Sequence, residues 1–145
     1  MQLETPHLFL YGTLRPLAKG RLGRARRERL AQASVSLGPA SIAGRLYDLG
    51  LYPGAVASSD AAERVIGEAV TLSGAGAVFS WLDPYEGIMA SGINRFDFER
   101  TRVPVVLATG DFIEAWVYLF RGEPPSESRV LSGCWDDQRQ VRSAE

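Results

Sequence analysis

The stretch from Phe112 to Phe120 constrains what this chain can fold into more than any other. Ile113, Ala115, Val117 and Leu119 alternate with Glu114, Trp116, Tyr118 and Phe120, the two-residue period of a β-strand. One face is wholly apolar and the other carries three aromatic rings beside one acid, so neither is a simple solvent face. A strand with two such faces belongs to a curved sheet in which one side meets helices or core and the other forms a cavity wall. Arg100 to Ala108 supplies its partner, and Thr109-Gly110-Asp111 between them reads as a hairpin loop. Pro104 cannot donate to a ladder, which calls for a free edge or a bulge there.

The remaining signals enlarge this sheet. Leu8 to Tyr11 is a short apolar strand stopped by Gly12, and Ser41 to Leu49 alternates polar and apolar positions before a turn over Gly50 to Gly54. Ala55 to Glu63 reads as a polar connection. Arg64 to Leu72 is a further strand, with Gly67 marking a bulge or a close backbone approach. Val78, Trp81, Leu82 and Tyr85 recur at helical spacing in a segment that begins at Ala75. Pro84 disfavours helical geometry at Asp83, so this helix is expected to stop there, with Gly87 closing the turn. Arg21 to Ala31 has a second, weaker helical composition. Beyond Gly122 the chain turns polar, and residues of about 122–145 are expected to form an extended C-terminal tail.

With 145 residues, 46% of them hydrophobic, the chain can bury about two-thirds of its unfolded surface. The inventory of five to six strands and few helices argues for one α+β domain over 1–145 with a small barrel-like sheet. A formal charge of -1 implies no polyanionic partner. Cys134 is the only cysteine and His7 the only histidine, which removes zinc sites and internal disulfides and fits a reducing compartment. No basic leader precedes Leu8, and no segment approaches the roughly 20 apolar residues of a membrane span. The expectation is a cytoplasmic protein that contacts neither membrane nor nucleic acid.

Two segments carry chemistry. The strand that ends at Tyr11 runs into Gly12, Thr13 and Leu14, where glycine lets successive main-chain N–H groups converge on one anion. Leu82-Asp83-Pro84-Tyr85-Glu86-Gly87 sets Glu86 just past a helix C-terminus, where the dipole opposes a second negative charge. A carboxyl raised in this way shuttles a proton near neutral pH. Asp83, one turn earlier, reads as a solvent-facing helix end. The run Arg15, Lys19, Arg21, Arg24, Arg26, Arg27 and Arg29 holds seven of the sixteen cations; no aromatic residues interleave it to stack on bases, so it ranks below a small-molecule site. His7 and Cys134 lack partners in sequence for a nucleophilic system.

The linear order of these short motifs resembles the gamma-glutamylcyclotransferase-like family. The likeness runs through Tyr11-Gly12-Thr13-Leu14-Arg15, Gly44-Arg45-Leu46-Tyr47-Asp48-Leu49-Gly50, Tyr52-Pro53-Gly54, Val65-Ile66-Gly67-Glu68 and Leu82 to Gly87. Phe98-Glu99-Arg100 and Ala115-Trp116-Val117-Tyr118 continue it, and Ser132-Gly133-Cys134-Trp135 resembles the tail of bacterial members. The resemblance implies a small mixed β-barrel flanked by helices, with a pocket for a gamma-glutamyl group. It implies that Tyr11, Gly12, Thr13 and Leu14 bind the glutamyl moiety, that Glu86 is the catalytic acid/base and that Tyr118 faces the pocket. The reaction implied is cyclisation of a gamma-glutamyl amide or dipeptide to 5-oxoproline, with no metal and no cofactor. A non-catalytic small-molecule-binding or regulatory protein on the same fold is the alternative. Ile88 to Arg95 is expected to form the pocket rim that chooses the leaving amine.

Overall fold

Alternation along the strands is what sorts this protein into an inside and an outside. The computed structural model describes residues 6–12, 14–18, 23–50, 52–85 and 98–135. In chain order these form β1 (His7–Leu10), α1 (Arg24–Ala31), β2 (Ser34–Asp48), β3 (Pro53–Ala57), β4 (Arg64–Leu72), α2 (Ala75–Tyr85), β5 (Phe98–Leu107), β6 (Phe112–Phe120) and β7 (Arg129–Val130). Neighbours run β2, β4, β1, β6, β5, and β5 returns to β2 through Ala40 opposite Leu107 and Ser41 opposite Val106. Five strands thus close a barrel. β1 and β6 are parallel at Leu8 and Trp116, and the other neighbours are antiparallel, so the barrel is mixed, as the family resemblance implies.

Phe9, Tyr11, Ile42, Val65, Ala69, Val105, Ala115 and Val117 pack together in the barrel interior. The alternate residues Leu8, Leu10, Val70, Leu72 and Tyr118 point outward and are covered by Leu30 of α1 and by Val78, Phe79 and Leu82 of α2. The apolar face predicted for Phe112 to Phe120 is therefore the barrel interior. Its mixed face lies under α2, with Trp116 edge-on to Phe79 at 6.2 Å between ring centroids. α1 in turn lays its cations over α2: Arg29 sits 4.5 Å from the Trp81 ring and Arg26 5.3 Å from the Tyr85 ring. Part of the basic run is thereby occupied by aromatic surface.

Several boundaries differ from the sequence reading. β2 begins at Ser34 rather than Ser41, because Gly38-Pro39, which look like a break, are accommodated by a register shift between Ser36 and Gly38 with Gly38 at φ 92°. Pro53–Ala57, read as turn and connection, is a strand paired with Gly44 to Asp48. Proline is tolerated there as the first strand residue. α2 runs on through Pro84 to Tyr85, with Asp83 held from outside the helix by Arg100 and Tyr118. Gly67 makes a close approach and no bulge: an added Cβ would lie 2.1 Å from the Leu10 carbonyl oxygen. Pro104 pairs with Glu114 of β6, beyond the short β2 contact, and so lies at a free edge.

After Gly122 the chain lies along the barrel. β7 adds to β2, the Ile66 N–H donates to the Gly133 carbonyl at 2.8 Å, and Trp135, 3% exposed, joins the interior core. Glu63 ties this segment down, accepting from Arg45 at 2.8 Å, Ser58 at 2.5 Å and Arg129 at 3.4 Å. No helix among the described residues is long and apolar enough to cross a membrane.

Two measurements check this account. Gly67→Ala forces a side chain onto rigid main chain and is expected to lose about 3 kcal/mol or more of stability to urea, whereas Gly76→Ala in open space on α2 gains roughly 0.5–1 kcal/mol. Similar small effects at both sites would refute a rigid β1–β4 contact. The hydrogen bonds from Arg45 and then Ser58 hold the Glu63 carboxyl down at about 2, against an ordinary value of 4.5. A depressed carboxyl stabilises fully above its unfolded pKa and stops doing so as pH falls through the folded one. The stability advantage of the wild type over Glu63→Gln is therefore constant above pH 4.5 and shrinks from there to about pH 2 in pH-dependent denaturation.

Candidate active site

The barrel delivers the end of β1 to the same region as the end of α2. Tyr11 is buried, and its hydroxyl donates to the Tyr118 carbonyl at 2.6 Å while accepting from the Ala55 N–H at 3.1 Å. Its side chain is committed to β3 and β6, so any ligand contact at this end of the loop falls to main chain. Gly12 lies against Pro53: an added Cβ would sit 3.1 Å from the proline Cγ. The Tyr52-Pro53-Gly54 motif, distant in sequence, is thus a wall for the glycine loop. Tyr52 extends that wall against Phe98, with ring centroids 6.1 Å apart.

The loop then folds back on itself. The Arg15 N–H and Nε both donate to the Gly12 carbonyl, at 3.2 and 2.8 Å, and the Ala18 N–H donates to the Arg15 carbonyl. The Leu17 N–H donates to Glu68, a β4 carboxylate only 6% exposed. The N–H groups of Gly12 and Leu14 bond to none of the described residues. Leu14 is buried in one cluster with Leu10, Leu82, Phe98 and Tyr118. Thr13 and Glu86 lie outside the described residues, as does the rim Ile88 to Arg95. Leu82 and Phe98 come before and after that stretch in sequence, and both belong to the same buried cluster as Leu14.

Tyr118 is 3% exposed, and its hydroxyl donates to Asp83 Oδ1 at 2.6 Å. Asp83 also takes a two-pronged contact from Arg100, Nε to Oδ1 at 3.0 Å and Nη2 to Oδ2 at 3.3 Å. The guanidinium rests over Phe79 and Trp116, 3.9 and 4.6 Å from their centroids. Sequence reasoning took Asp83 for a solvent-facing residue and gave Arg100 and Glu68 no role. The available signals were an acid embedded in the apolar strand Val65 to Leu72, and a carboxylate placed at the unfavourable end of a helix dipole.

A family model described as gamma-glutamyl cyclotransferase, AIG2-like, matches residues 8–137. The chain belongs to this family. Among solved structures, an AIG2-like protein from Mus musculus aligns over 94% of this chain and 91% of its own, at 18% identity and a TM-score of 0.70. YkqA from Bacillus subtilis aligns over 98% of this chain at 21% identity and a TM-score of 0.67, and the chain spans 44% of its length. An uncharacterized protein from Pyrococcus horikoshii aligns over 97% of this chain and 98% of its own, at 18% identity and a TM-score of 0.62. At these identities the superpositions show a shared fold and nothing more. No curated protein matches the chain.

For this AIG2-like chain the two bonds of the Tyr11 hydroxyl make a direct test. Tyr11→Phe leaves the Tyr118 carbonyl and the Ala55 N–H without their partner in a buried place, which is expected to remove about 2–4 kcal/mol of stability. Urea denaturation measures it, and a loss under about 0.5 kcal/mol would show that both groups are satisfied without the tyrosine.

Proposed function

We propose that this protein is a gamma-glutamylcyclotransferase that converts a gamma-glutamyl amide or dipeptide to 5-oxoproline and a free amine. The observation that carries this reading is the burial of Leu14, Leu82, Phe98 and Tyr118 in one cluster. Leu82 and Phe98, which flank the Glu86 segment in sequence, share this cluster with Leu14 of the glycine loop, and that supports a site built from an anion-binding main chain and an acid/base.

The chemistry needs little more. The substrate carries its own nucleophile, the alpha-amine, so closing the five-membered ring is intramolecular and is accelerated chiefly by holding the reacting atoms together. In this mechanism the N–H groups of Gly12 and Leu14, which bond to none of the described residues, take the alpha-carboxylate of the substrate together with that of Thr13. Glu86 accepts a proton as the alpha-nitrogen bonds to the gamma-carbon, and returns one to the amine as the old carbon–nitrogen bond breaks. The atoms of the amide are divided between 5-oxoproline and the amine with no water consumed. The Tyr118 ring lines the glutamyl subsite, and its proton is already given to Asp83. A hydroxyl so engaged meets a ligand through its lone pairs.

Incubation with a panel of gamma-glutamyl amines and dipeptides, with 5-oxoproline as the readout, tests the reading. Glu86→Gln is expected to lower kcat by about 10²–10⁴-fold while leaving stability unchanged. Full activity in Glu86→Gln would remove Glu86 from the mechanism. If no member of the panel is turned over while 5-oxoproline raises the melting temperature saturably, the non-catalytic binding alternative holds.

A further inference from the structure

Glu68 is an acid in a place suited to apolar side chains. By strand alternation it shares the outward face of β4 with Val70 and Leu72, and it stands opposite Leu10 of β1 and Pro39 of β2. It is as buried as its neighbours, at 6% exposure. Among the described residues no cation pairs with it, and the one hydrogen bond it accepts comes from the Leu17 N–H at 3.2 Å. Burying a carboxyl group with so little compensation costs stability. An apolar side chain of similar volume would fill the same place without that cost. The stability of β4 therefore does not account for an acid here, and the turn lying above it does.

That turn needs an anchor. Leu17 is 68% exposed, so burial of its side chain does not draw its N–H inward, whereas the Glu68 carboxylate does. The Ala18 N–H donates to the Arg15 carbonyl, closing the chain over Pro16 and Leu17, and the N–H and Nε of Arg15 donate in turn to the Gly12 carbonyl. Two successive turns thus connect Glu68 to the peptide of Gly12, and Leu14 lies within the second of them. The foot of this arrangement is firm. An added Cβ at Gly67 would lie 2.1 Å from the Leu10 carbonyl oxygen, so β4 and β1 are in hard contact one residue away from Glu68. Resting on the cyclotransferase reading, we propose that Glu68 is a positioning residue for substrate binding, a buried post that holds the Arg15–Ala18 turn so that the N–H groups of Gly12 and Leu14 stay presented to the alpha-carboxylate. It acts through Leu17 and touches no reacting atom.

The test is steady-state 5-oxoproline formation by the full chain, with KM and kcat resolved for each variant well below its melting temperature. Glu68→Met removes the acceptor and keeps the volume. Its KM is expected to rise about tenfold, with kcat changed less than about threefold, as when substrate binding alone is weakened. Its melting temperature stays at or above that of the wild type, because a buried acid has been replaced by an apolar side chain. Glu68→Gln keeps an oxygen for the Leu17 N–H and returns KM to within about threefold of wild type. If Glu68→Met does not fold, Glu68→Ala decides by the same KM criterion. Arg24→Ala, which opens an exposed α1 pair with Glu28, leaves both constants unchanged. A KM within about twofold of wild type in folded Glu68→Met would make the acid a local feature of the fold and overturn the proposal. A rise equally large in Glu68→Gln would assign the effect to charge rather than to the held N–H, and would overturn it too. Failure of the reading looks different: a wild type that turns over nothing removes cyclisation and inference together, whereas an active wild type whose KM ignores Glu68 removes the inference alone.

Discussion

Tyr118 is held at both ends, and the arrangement of the rest follows from that. Its carbonyl receives the hydroxyl of Tyr11, fixing where β1 leaves the barrel, and its own hydroxyl is given to Asp83, fixing where α2 ends. Charge-assisted and buried hydrogen bonds are directional, and leaving one unmade in a dry place costs more than making it gains. A single residue of β6 thus couples the barrel interior to the helical layer. Because β6 pairs with β1 on one side and β5 on the other, Arg100 arrives opposite Tyr118 by register, and the Asp83 carboxylate is met from two neighbouring strands.

Barrel closure makes this coupling stiff. The strands bury their odd and even faces in two different clusters, one enclosed by the sheet and one pressed between sheet and helices. A one-residue slip of any strand would exchange these two sets, so the side chains that define the site inherit the register of the whole sheet. The C-terminal segment contributes too, since Trp135 fills part of the interior and the Glu63 cluster anchors β7 next to it. The site is thereby supported from the inside by residues that take no part in its chemistry.

Much of the fold was legible in the sequence because it rests on local period. The hairpin over β5 and β6, the strand Arg64–Leu72 and the helix over Val78 and Leu82 all show in alternation or helical spacing within about ten residues. What was not legible has a common cause. β3 and the first half of β2 carry Gly and Pro, which signal turns locally, and they become strands because β4 and β2 offer ladders that outweigh the local bias. Pro84 remains helical for a similar reason, with Asp83 held from outside the helix. In the site, Tyr11 and Tyr118 stood out as residues but not as partners; Asp83 and Arg100 are unremarkable in sequence and acquire meaning only when β5 is laid beside α2.

By itself the sequence determined the two-faced strands, and with them the need for a layered, curved sheet. It also determined which short motifs recur in the order of the gamma-glutamyl cyclotransferase, AIG2-like family that the chain matches. Only the tertiary structure decided that Pro53 stands against Gly12, and that Leu14 shares one buried cluster with Leu82, Phe98 and Tyr118. The physical reason is that period and turn chemistry act over a few residues, whereas a closed barrel sets distances between residues about a hundred positions apart, through ladders whose register no local signal records.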